Sequence, residues 1–141
     1  VKNAPGALGY VELAYAVTNK LPAARIQNQA GKLIEPTIES TTAAAAAAAK
    51  SMPADFRVSL TNPNGADAYP IASFTWLLVY KDQPNEARGK ALARFLWWAI
   101  HDGQRHPAAL LYAPLPAPVV KQIEATLRQI TCSGKPILAA K

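Results

Sequence analysis

Two stretches in the second half of the chain show the periodicity of an amphipathic helix. Between Asn85 and Asp102, apolar side chains recur at spacings of three and four, at Leu92, Phe95, Leu96 and Ala99. This spacing predicts a helix that buries those residues, with Gly103 as its C-cap. The same spacing predicts a last helix with apolar positions at Val120, Ile123, Leu127 and Ile130. Glu124 and Arg128, four residues apart, are expected to pair on its solvent face.

A third apolar stretch, from Tyr69 to Tyr80, has no helical period. It is rich in aromatic and β-branched residues and ends at the charged residues 81–82. This composition predicts a long, largely buried strand, with Pro70 at its start or edge. The preceding residues 61–67 contain Asn-Pro and Asn-Gly, which predict a turn and a boundary between two units.

Short strands are predicted in the first part of the chain. Residues 5–12 contain two glycines after a proline, which is typical of a turn that leads into a strand, and residues 13–17 continue the apolar character. Residues 25–29 and 32–35 predict a hairpin around Ala30-Gly31.

An alanine-rich helix is predicted to follow. Pro36 suits the first helical position, and the seven consecutive alanines at 43–49 have the highest helix propensity. The helix should end before Pro53. It is either docked through its small side chains or a low-complexity helix on the surface, and we favour the docked helix.

Composition and charge exclude several classes of protein. The chain has 141 residues, of which 50% are hydrophobic and 17% charged, so it is too apolar for a disordered tail. Its strongly apolar runs, 71–80 and 91–100, are about half as long as a membrane span. The net charge of +6 is spread along the chain without a basic block, which argues against nucleic acid as a partner. Cys132 is the single cysteine, so no internal disulfide can form.

Candidate anion ligands are few. Arg57, Ser59, Ser73 and Thr75 have side chains of the kind that bind phosphate. No glycine-rich phosphate loop accompanies them, so we favour an exposed cation and hydroxyls bonded to backbone over a direct phosphate role.

No catalytic motif is present, and we expect neither an enzyme nor a bound metal or cofactor. His101 and His106 could be metal ligands or a titrating pair, but they are five residues apart and lack cysteine partners. We favour a charge-compensating role at the negative end of the helix dipole. The Trp97-Trp98 pair could form a stacking platform, but adjacent helix positions point in different directions, so a core residue beside a partly buried one is expected.

Three blocks of sequence carry a family resemblance. They are Pro-Gly-Ala-Leu-Gly-Tyr-Val-Glu at 5–12, Asp-Ala-Tyr-Pro-Ile-Ala-Ser at 67–73, and Phe-Leu-Trp-Trp-Ala-Ile at 95–100 with Gly103 after it. Tyr-Ala-Pro-Leu-Pro at 112–116 and Gly-Lys-Pro at 134–136 add to them. In this combination and order, the chain resembles the phosphate-binding proteins of bacterial phosphate ABC importers over nearly all of its length.

The resemblance implies an α/β fold that forms part of a two-lobed periplasmic solute-binding protein of type II, with mixed sheets flanked by helices. Residues 1–67 would be the end of the second lobe, and 68–141 a hinge strand and the return into the first lobe. The hinge would consist of Ala68, Tyr69, Pro70, Ile71 and Ala72. Family members are considerably longer, so Val1 is expected to lie inside a longer protein.

The implied function is high-affinity capture of phosphate for an ABC importer, as the carboxy-terminal part of the binding protein. Partners would be inorganic phosphate, the amino-terminal portion of the same protein and the membrane permease, in the periplasm or, in bacteria without an outer membrane, on the cell exterior. The family's phosphate ligands are expected upstream of Val1, so no ligand is assigned to a residue of this sequence. The alternative is an interaction or structural module of the same fold that does not bind phosphate on its own.

Overall fold

Four α-helices and two short β-ribbons make up residues 1–138, which is the part of the chain that the computed structural model describes. The last three residues of the predicted unit 68–141 lie outside it. The elements in chain order are α1 (Leu13–Thr18), β1 (Ile26–Gln27), β2 (Leu33–Ile34), α2 (Ile38–Ala49), α3 (Glu86–Ile100), two 3₁₀ turns (Asp102–Arg105 and Pro107–Leu110), α4 (Ala117–Leu127), β3 (Thr131–Cys132) and β4 (Lys135–Pro136).

The strands form two separate antiparallel ribbons. In β1–β2, Ile26 lies opposite Ile34, and in β3–β4, Thr131 lies opposite Pro136. Asp82 adds an isolated parallel bridge to Thr131. The mixture of helix and strand agrees with the predicted α/β class, while the sheets of the described residues have only two strands each. The two-lobed arrangement stays a prediction.

The predicted hairpin of β1 and β2 is confirmed, and its turn is fastened by one buried side chain. Asn28 is 5% exposed, and its Oδ1 accepts hydrogen bonds from the backbone N–H groups of Ala30 and Lys32, both at 3.1 Å. Its Nδ2 points across to the turn at 65–68, where it lies 2.9–3.2 Å from three carbonyl oxygens, those of Gly65, Ala66 and Ala68. One amide thus joins two loops nearly forty residues apart in sequence.

The predicted alanine-rich helix is confirmed as α2, which docks through small side chains. It begins at Ile38, two residues after Pro36, because Thr37 and Ser40 form a capping box. One face of α2 is buried, at Ser40, Ala44, Ala45, Ala48 and Ala49. Ala45 and Ala48 pack with Leu60 in a small core that Val58, Ala72 and Phe74 border.

Helices α3 and α4 pack on a second core, and α3 is rotated from the predicted orientation. Its buried residues are Gly89, Ala93, Leu96 and Ile100, whereas Phe95, predicted in the apolar face, is 56% exposed. Small residues allow close packing on this face of α3. A Cβ on Gly89 would lie 2.6 Å from Ile137 Cδ1, so Ile137 packs there only because glycine has no side chain. His101, and not the predicted Gly103, is the C-cap.

The ion pair predicted between Glu124 and Arg128 on the solvent face of α4 is wrong. The Glu124 carboxylate lies 2.9 Å from His101 Nε2, and the Arg128 guanidinium lies 4.9 Å from the centre of the Trp97 ring. Both side chains of the expected pair therefore contact α3 and its C-cap.

The long buried strand predicted at 69–80 is also wrong. Residues 72–80 are neither helical nor hydrogen-bonded as a strand, and several large side chains face solvent, with Leu78 98% exposed. An extended segment becomes a strand only beside a neighbour that accepts and donates its backbone hydrogen bonds. Within residues 1–138 no strand lies alongside it.

The strand predicted at the end of the 5–12 block is wrong as well. Gly6 adopts a positive φ in the expected turn, but residues 7–12 are unpaired, with Leu8 99% and Tyr10 97% exposed. The following residues 13–17, for which the sequence indicated only an apolar character, lie in the short helix α1.

Candidate functional site

The two unpaired segments border a groove of about 980 Å³. We call residues 7–12 the first extended segment and residues 71–80 the second. The groove is lined by residues 7–14 on one side, by 71–75 on another, and by 111–115 of the loop before α4. Most of the lining side chains are apolar, so the groove fits an apolar occupant better than an anion.

Within the described residues, the backbone polar groups of the two extended segments lack backbone partners except at the ends of the first, where Ala7 N–H donates to the Ala4 carbonyl and the Glu12 carbonyl accepts from α1. No backbone–backbone hydrogen bond involves residues 8–11 or 71–80 in the described part of the chain. The second segment also exposes Trp76, Leu77, Leu78 and Tyr80. Free N–H and C=O groups beside exposed apolar side chains are the features of a sheet edge that pairs with another strand.

Side-chain hydrogen bonds hold the loop wall of the groove. Gln104 donates from Nε2 to the Ala99 carbonyl at 2.7 Å and accepts the Leu115 N–H at Oε1, also at 2.7 Å. Tyr112 donates its hydroxyl to Glu12 Oε2 at 3.0 Å, and this carboxylate raises the pKa of the phenol. The bond between Glu12 and Tyr112 joins the first extended segment to the loop before α4.

The five predicted hinge residues differ in how firmly they are held. Ala68 is fully buried and its carbonyl faces Asn28, the Tyr69 N–H donates to the Ser40 carbonyl at 3.1 Å, and the Pro70 carbonyl accepts from Asn62 N–H at 2.8 Å. Ile71 and Ala72 make no backbone hydrogen bond. The first three residues of the predicted hinge are thus fastened to the loops and helix that precede them.

The four candidate anion ligands are not brought together. Arg57 lies 3.5 Å from Asp55 and its side chain is 87% exposed. Ser59 accepts the Thr61 N–H, and Ser73 donates to the neighbouring Phe74 carbonyl. Ser73 and Thr75 line the groove, whereas Arg57 and Ser59 do not. The contacts of Arg57, Ser59 and Ser73 are those of an exposed cation and of hydroxyls bonded to backbone, which are the roles favoured from the sequence.

The two histidines lie in different surroundings. His101 contacts the Trp97 carbonyl at the end of α3, which fits the predicted dipole-compensating position, and it also contacts Glu124. His106 accepts a hydrogen bond at Nε2 from Arg105 Nε at 3.3 Å. Among residues 1–138, no three His, Cys, Asp or Glu side chains lie where they could hold a metal ion together.

The two tryptophans lie in different surroundings, as predicted, but both are more exposed than the predicted core residue and partly buried neighbour. Trp97 is partly buried against the core of α3 and α4, while Trp98 is 43% exposed and stacks on Phe95 with ring centres 6.0 Å apart. Cys132 is partly buried in β3 against the same core. No helix within the described residues combines the length and the apolar character needed to cross a membrane.

The sequence reasoning missed three features of the site: the contacts of Asn28, the bond between Glu12 and Tyr112, and the contact of His101 with Glu124. The available signal for Asn28 was its place two residues before the predicted turn at Ala30-Gly31, since Asn often accepts backbone N–H groups beside a turn. The other two contacts join residues 100 and 23 positions apart, which no local pattern reveals.

Comparison with known proteins places the chain beside phosphate-binding proteins named PstS. The one from Xylella fastidiosa (strain 9a5c) is 42% identical over 125 residues, which are 89% of this chain and 34% of the relative. Those from Haemophilus influenzae and Methanocaldococcus jannaschii are 39% and 37% identical over 83% and 86% of this chain. No protein-family model matches the sequence.

These similarities confirm the resemblance that the sequence blocks indicated. The chain is related to a portion of the PstS phosphate-binding proteins, and it spans about a third of the length of the relatives it matches. The relatives are named as binding proteins, which agrees with the absence of a catalytic motif from the sequence.

Proposed function

We propose that this chain is part of a phosphate-binding protein and serves high-affinity phosphate capture for an ABC importer. The similarity to PstS proteins over most of the chain carries the proposal. The protein would act in the periplasm, or anchored outside the cell in bacteria that lack an outer membrane, and deliver phosphate to the membrane permease. The chain would be the carboxy-terminal part, with the phosphate ligands supplied by the amino-terminal portion.

The helix starts support a site built elsewhere. An anion site uses free N–H groups at a helix N-terminus. In α2 the Thr37 side chain already accepts the Ser40 N–H, and in α3 the Asn85 side chain accepts the Arg88 N–H. Helix α4 has Pro118 at its second position, which has no N–H to donate. The three long helices in the described residues therefore offer an incoming phosphate few free donors.

The two extended segments support a partner that pairs with them. Their unpaired backbone and exposed apolar side chains fit strands that complete a sheet with additional chain. About two thirds of the length of the relatives has no counterpart in this sequence, which is ample for such strands. We infer that the amino-terminal portion covers these segments and the groove between them.

The same contacts support a hinge in the predicted range. Residues 68–70 are tied to the preceding loops and to α2, whereas residues 71–80 have no backbone hydrogen bond. Hinge motion is absorbed by a few such residues at the ends of elements. We infer that Ile71 and Ala72 rotate most when the two lobes close.

Isothermal titration with phosphate and sulfate tests the function. The chain alone should bind phosphate more weakly than millimolar, which corresponds to less than about 4 kcal/mol. The same chain fused behind the unmatched portion of the Xylella fastidiosa relative should bind phosphate at least a thousandfold more tightly and should discriminate against sulfate. Tight binding by the chain alone would indicate that phosphate is bound directly by one or more of the candidate anion ligands, which are Arg57, Ser59, Ser73 and Thr75. No binding by the completed protein would favour the interaction module.

A charged substitution on the second extended segment tests the pairing. Leu78 is 98% exposed, so Leu78→Asp should leave the isolated chain unchanged but prevent a two-chain complex with the amino-terminal portion. Leu110→Asp is the matched control, because Leu110 is 64% exposed and lies outside both segments. Co-purification and analytical ultracentrifugation measure the complex. Equal assembly by the two variants would exclude residues 71–80 as the pairing edge.

A further inference from the structure

The side chain of His101 joins the end of α3 to the middle of α4. Its Nδ1 lies 2.8 Å from the Trp97 carbonyl oxygen, one turn back in α3, and its Nε2 lies 2.9 Å from Glu124 Oε1 in α4. The His101 and Glu124 side chains are 33% and 30% exposed, so water screens the contact only in part. The imidazole also stacks on Trp97, with ring centres 4.6 Å apart.

Both partners of His101 are acceptors. A carbonyl oxygen has no proton to give, and neither has an ionised carboxylate, so each of the two contacts requires an N–H on the ring. Neutral imidazole has one N–H, whereas the imidazolium has two. The observed geometry is therefore satisfied in full only by the doubly protonated ring, and loss of one proton leaves a ring nitrogen facing an oxygen without a hydrogen between them.

Helix α4 also reaches the first half of the chain. Gln122, on the turn before Glu124, donates from Nε2 to the Ala49 carbonyl at the end of α2 at 3.1 Å. Val119, one turn earlier in α4, is 2% exposed. Helix α4 therefore contacts both α3 and α2, and this hydrogen bond connects it to the end of α2.

We propose that His101 is a pH-dependent latch that fastens α4, and through it α2, to α3 when the imidazole is protonated and releases them when it is neutral. The latch goes beyond phosphate capture and does not depend on it. Its action follows from a bistable hydrogen-bonding group placed between two helices, α3 and α4, of the predicted unit 68–141.

The charged groups around His101 favour the protonated state. Glu124 faces it from α4, and Asp102 follows it in the 3₁₀ turn. The cation Arg128 lies over the ring of Trp97, on which His101 stacks. The hydrogen bond to the Trp97 carbonyl is the largest cause that raises the pKa of His101 above its usual value; burial opposes it, and the Glu124 carboxylate and the charge of Asp102 add smaller effects that raise the pKa. The geometry and the direction of this pKa shift agree.

The sign of the pH dependence follows. A group whose pKa is raised on folding binds its proton more tightly in the folded chain, so folding gains stability at low pH. The gain is complete below the unfolded pKa of about 6.5 and is lost as pH rises through the higher folded pKa. The latch should therefore be closed in mildly acidic solution and open in alkaline solution.

Nuclear magnetic resonance on the 141-residue chain tests the latch directly. The chain has two histidines, and His106→Gln identifies the signal of His101. The pKa of His101 should lie above 6.5, and Glu124→Gln should lower it, because the amide keeps a contact but removes the charge. His106→Gln is also the control, and it should leave the pKa of His101 in place.

Amide exchange in α4 distinguishes a histidine that controls the packing of the helix from one that has only a shifted pKa. After correction for the intrinsic rate, exchange in α4 and at the end of α2 should be several-fold slower at pH 5.5 than at pH 8.5, and His101→Gln should abolish this difference. His106→Gln should keep it. A pKa of His101 at or below 6.5, or an exchange ratio that is unchanged in His101→Gln, would overturn the proposal.

Discussion

Replacement of Asn28 by alanine should be among the most damaging single changes in the first half of the chain. The side chain is 5% exposed, accepts two backbone N–H groups and lies within 3.2 Å of three carbonyl oxygens. Asn28→Ala removes all of these contacts at once. The hairpin turn and the turn that precedes the predicted hinge therefore lose the side chain that hydrogen-bonds to both of them.

The magnitude follows from how many of these groups water can reach. The amide of Asn28 has two N–H groups for three acceptors, so at most four full hydrogen bonds are lost. Ala30, Lys32 and Ala66 are exposed and can bond to water, but Ala68 is fully buried, and its carbonyl loses the amide. With about 0.5–1.5 kcal/mol for each of three replaceable bonds and about 1–3 kcal/mol for the one buried carbonyl left unpaired, the free energy of unfolding should fall by about 2.5–7.5 kcal/mol.

Urea denaturation followed by circular dichroism measures this loss. Asn19→Ala is the matched control, because Asn19 is exposed and makes a single side-chain bond to the Tyr15 carbonyl at 2.9 Å, so it should cost less than about 0.5 kcal/mol. Asn28→Asp should be at least as damaging as Asn28→Ala, since it places a carboxylate oxygen against three carbonyl oxygens. If Asn28→Ala matched Asn19→Ala within error, the fastening role of Asn28 would be refuted.

Two further changes probe the small core of α2 and the β3 region. Ala44 is fully buried, so Ala44→Leu should overpack the buried face of α2 and lower the free energy of unfolding, measured by urea denaturation, by about 1–3 kcal/mol. Ala46→Leu, on the exposed face, should lower it little. Asp82 accepts the Thr131 hydroxyl at 2.6 Å and the Gly134 N–H at 3.2 Å, which lower its pKa. The stabilisation by ionised Asp82 is present above its unfolded pKa and is lost as the pH falls through the lower folded pKa. Asp82→Asn should therefore have a lower melting temperature than the unaltered chain at pH 7, and the two melting temperatures should converge in strong acid.

The elements that local sequence determines were predictable. Seven alanines and a Thr-x-x-Ser start define α2 without help from the rest of the chain, and the hairpin of β1 and β2 is closed by a turn whose Gly31 adopts a positive φ. In α3 the period was correct but the face was not, because the large apolar residues were weighted above Gly89 and Ala93. Close packing against Ile137 selects the small residues, and that neighbour lies almost fifty positions away.

The two extended segments show why the remaining elements could not be predicted. Aromatic and β-branched residues in 71–80 favour a strand, and no helix forms there. What composition cannot state is whether a neighbouring strand is present. The same limit applies to the candidate site, because Arg57, Ser59, Ser73 and Thr75 have suitable chemistry but converge only if the fold brings them together.

The contacts on either side of Pro70 connect these observations to motion. Asn28, Ser40 and Asn62 fasten residues 68–70 from three directions, so any rotation there breaks hydrogen bonds in the interior. Rotation at Ile71 or Ala72 breaks none of the described backbone bonds. Because Ala72 and Phe74 border the core of α2, a rotation at Ile71 would move their side chains against Leu60. In the proposed hinge, rotation would therefore be limited by this small apolar contact, and strengthening the contact should slow closure without touching a ligand.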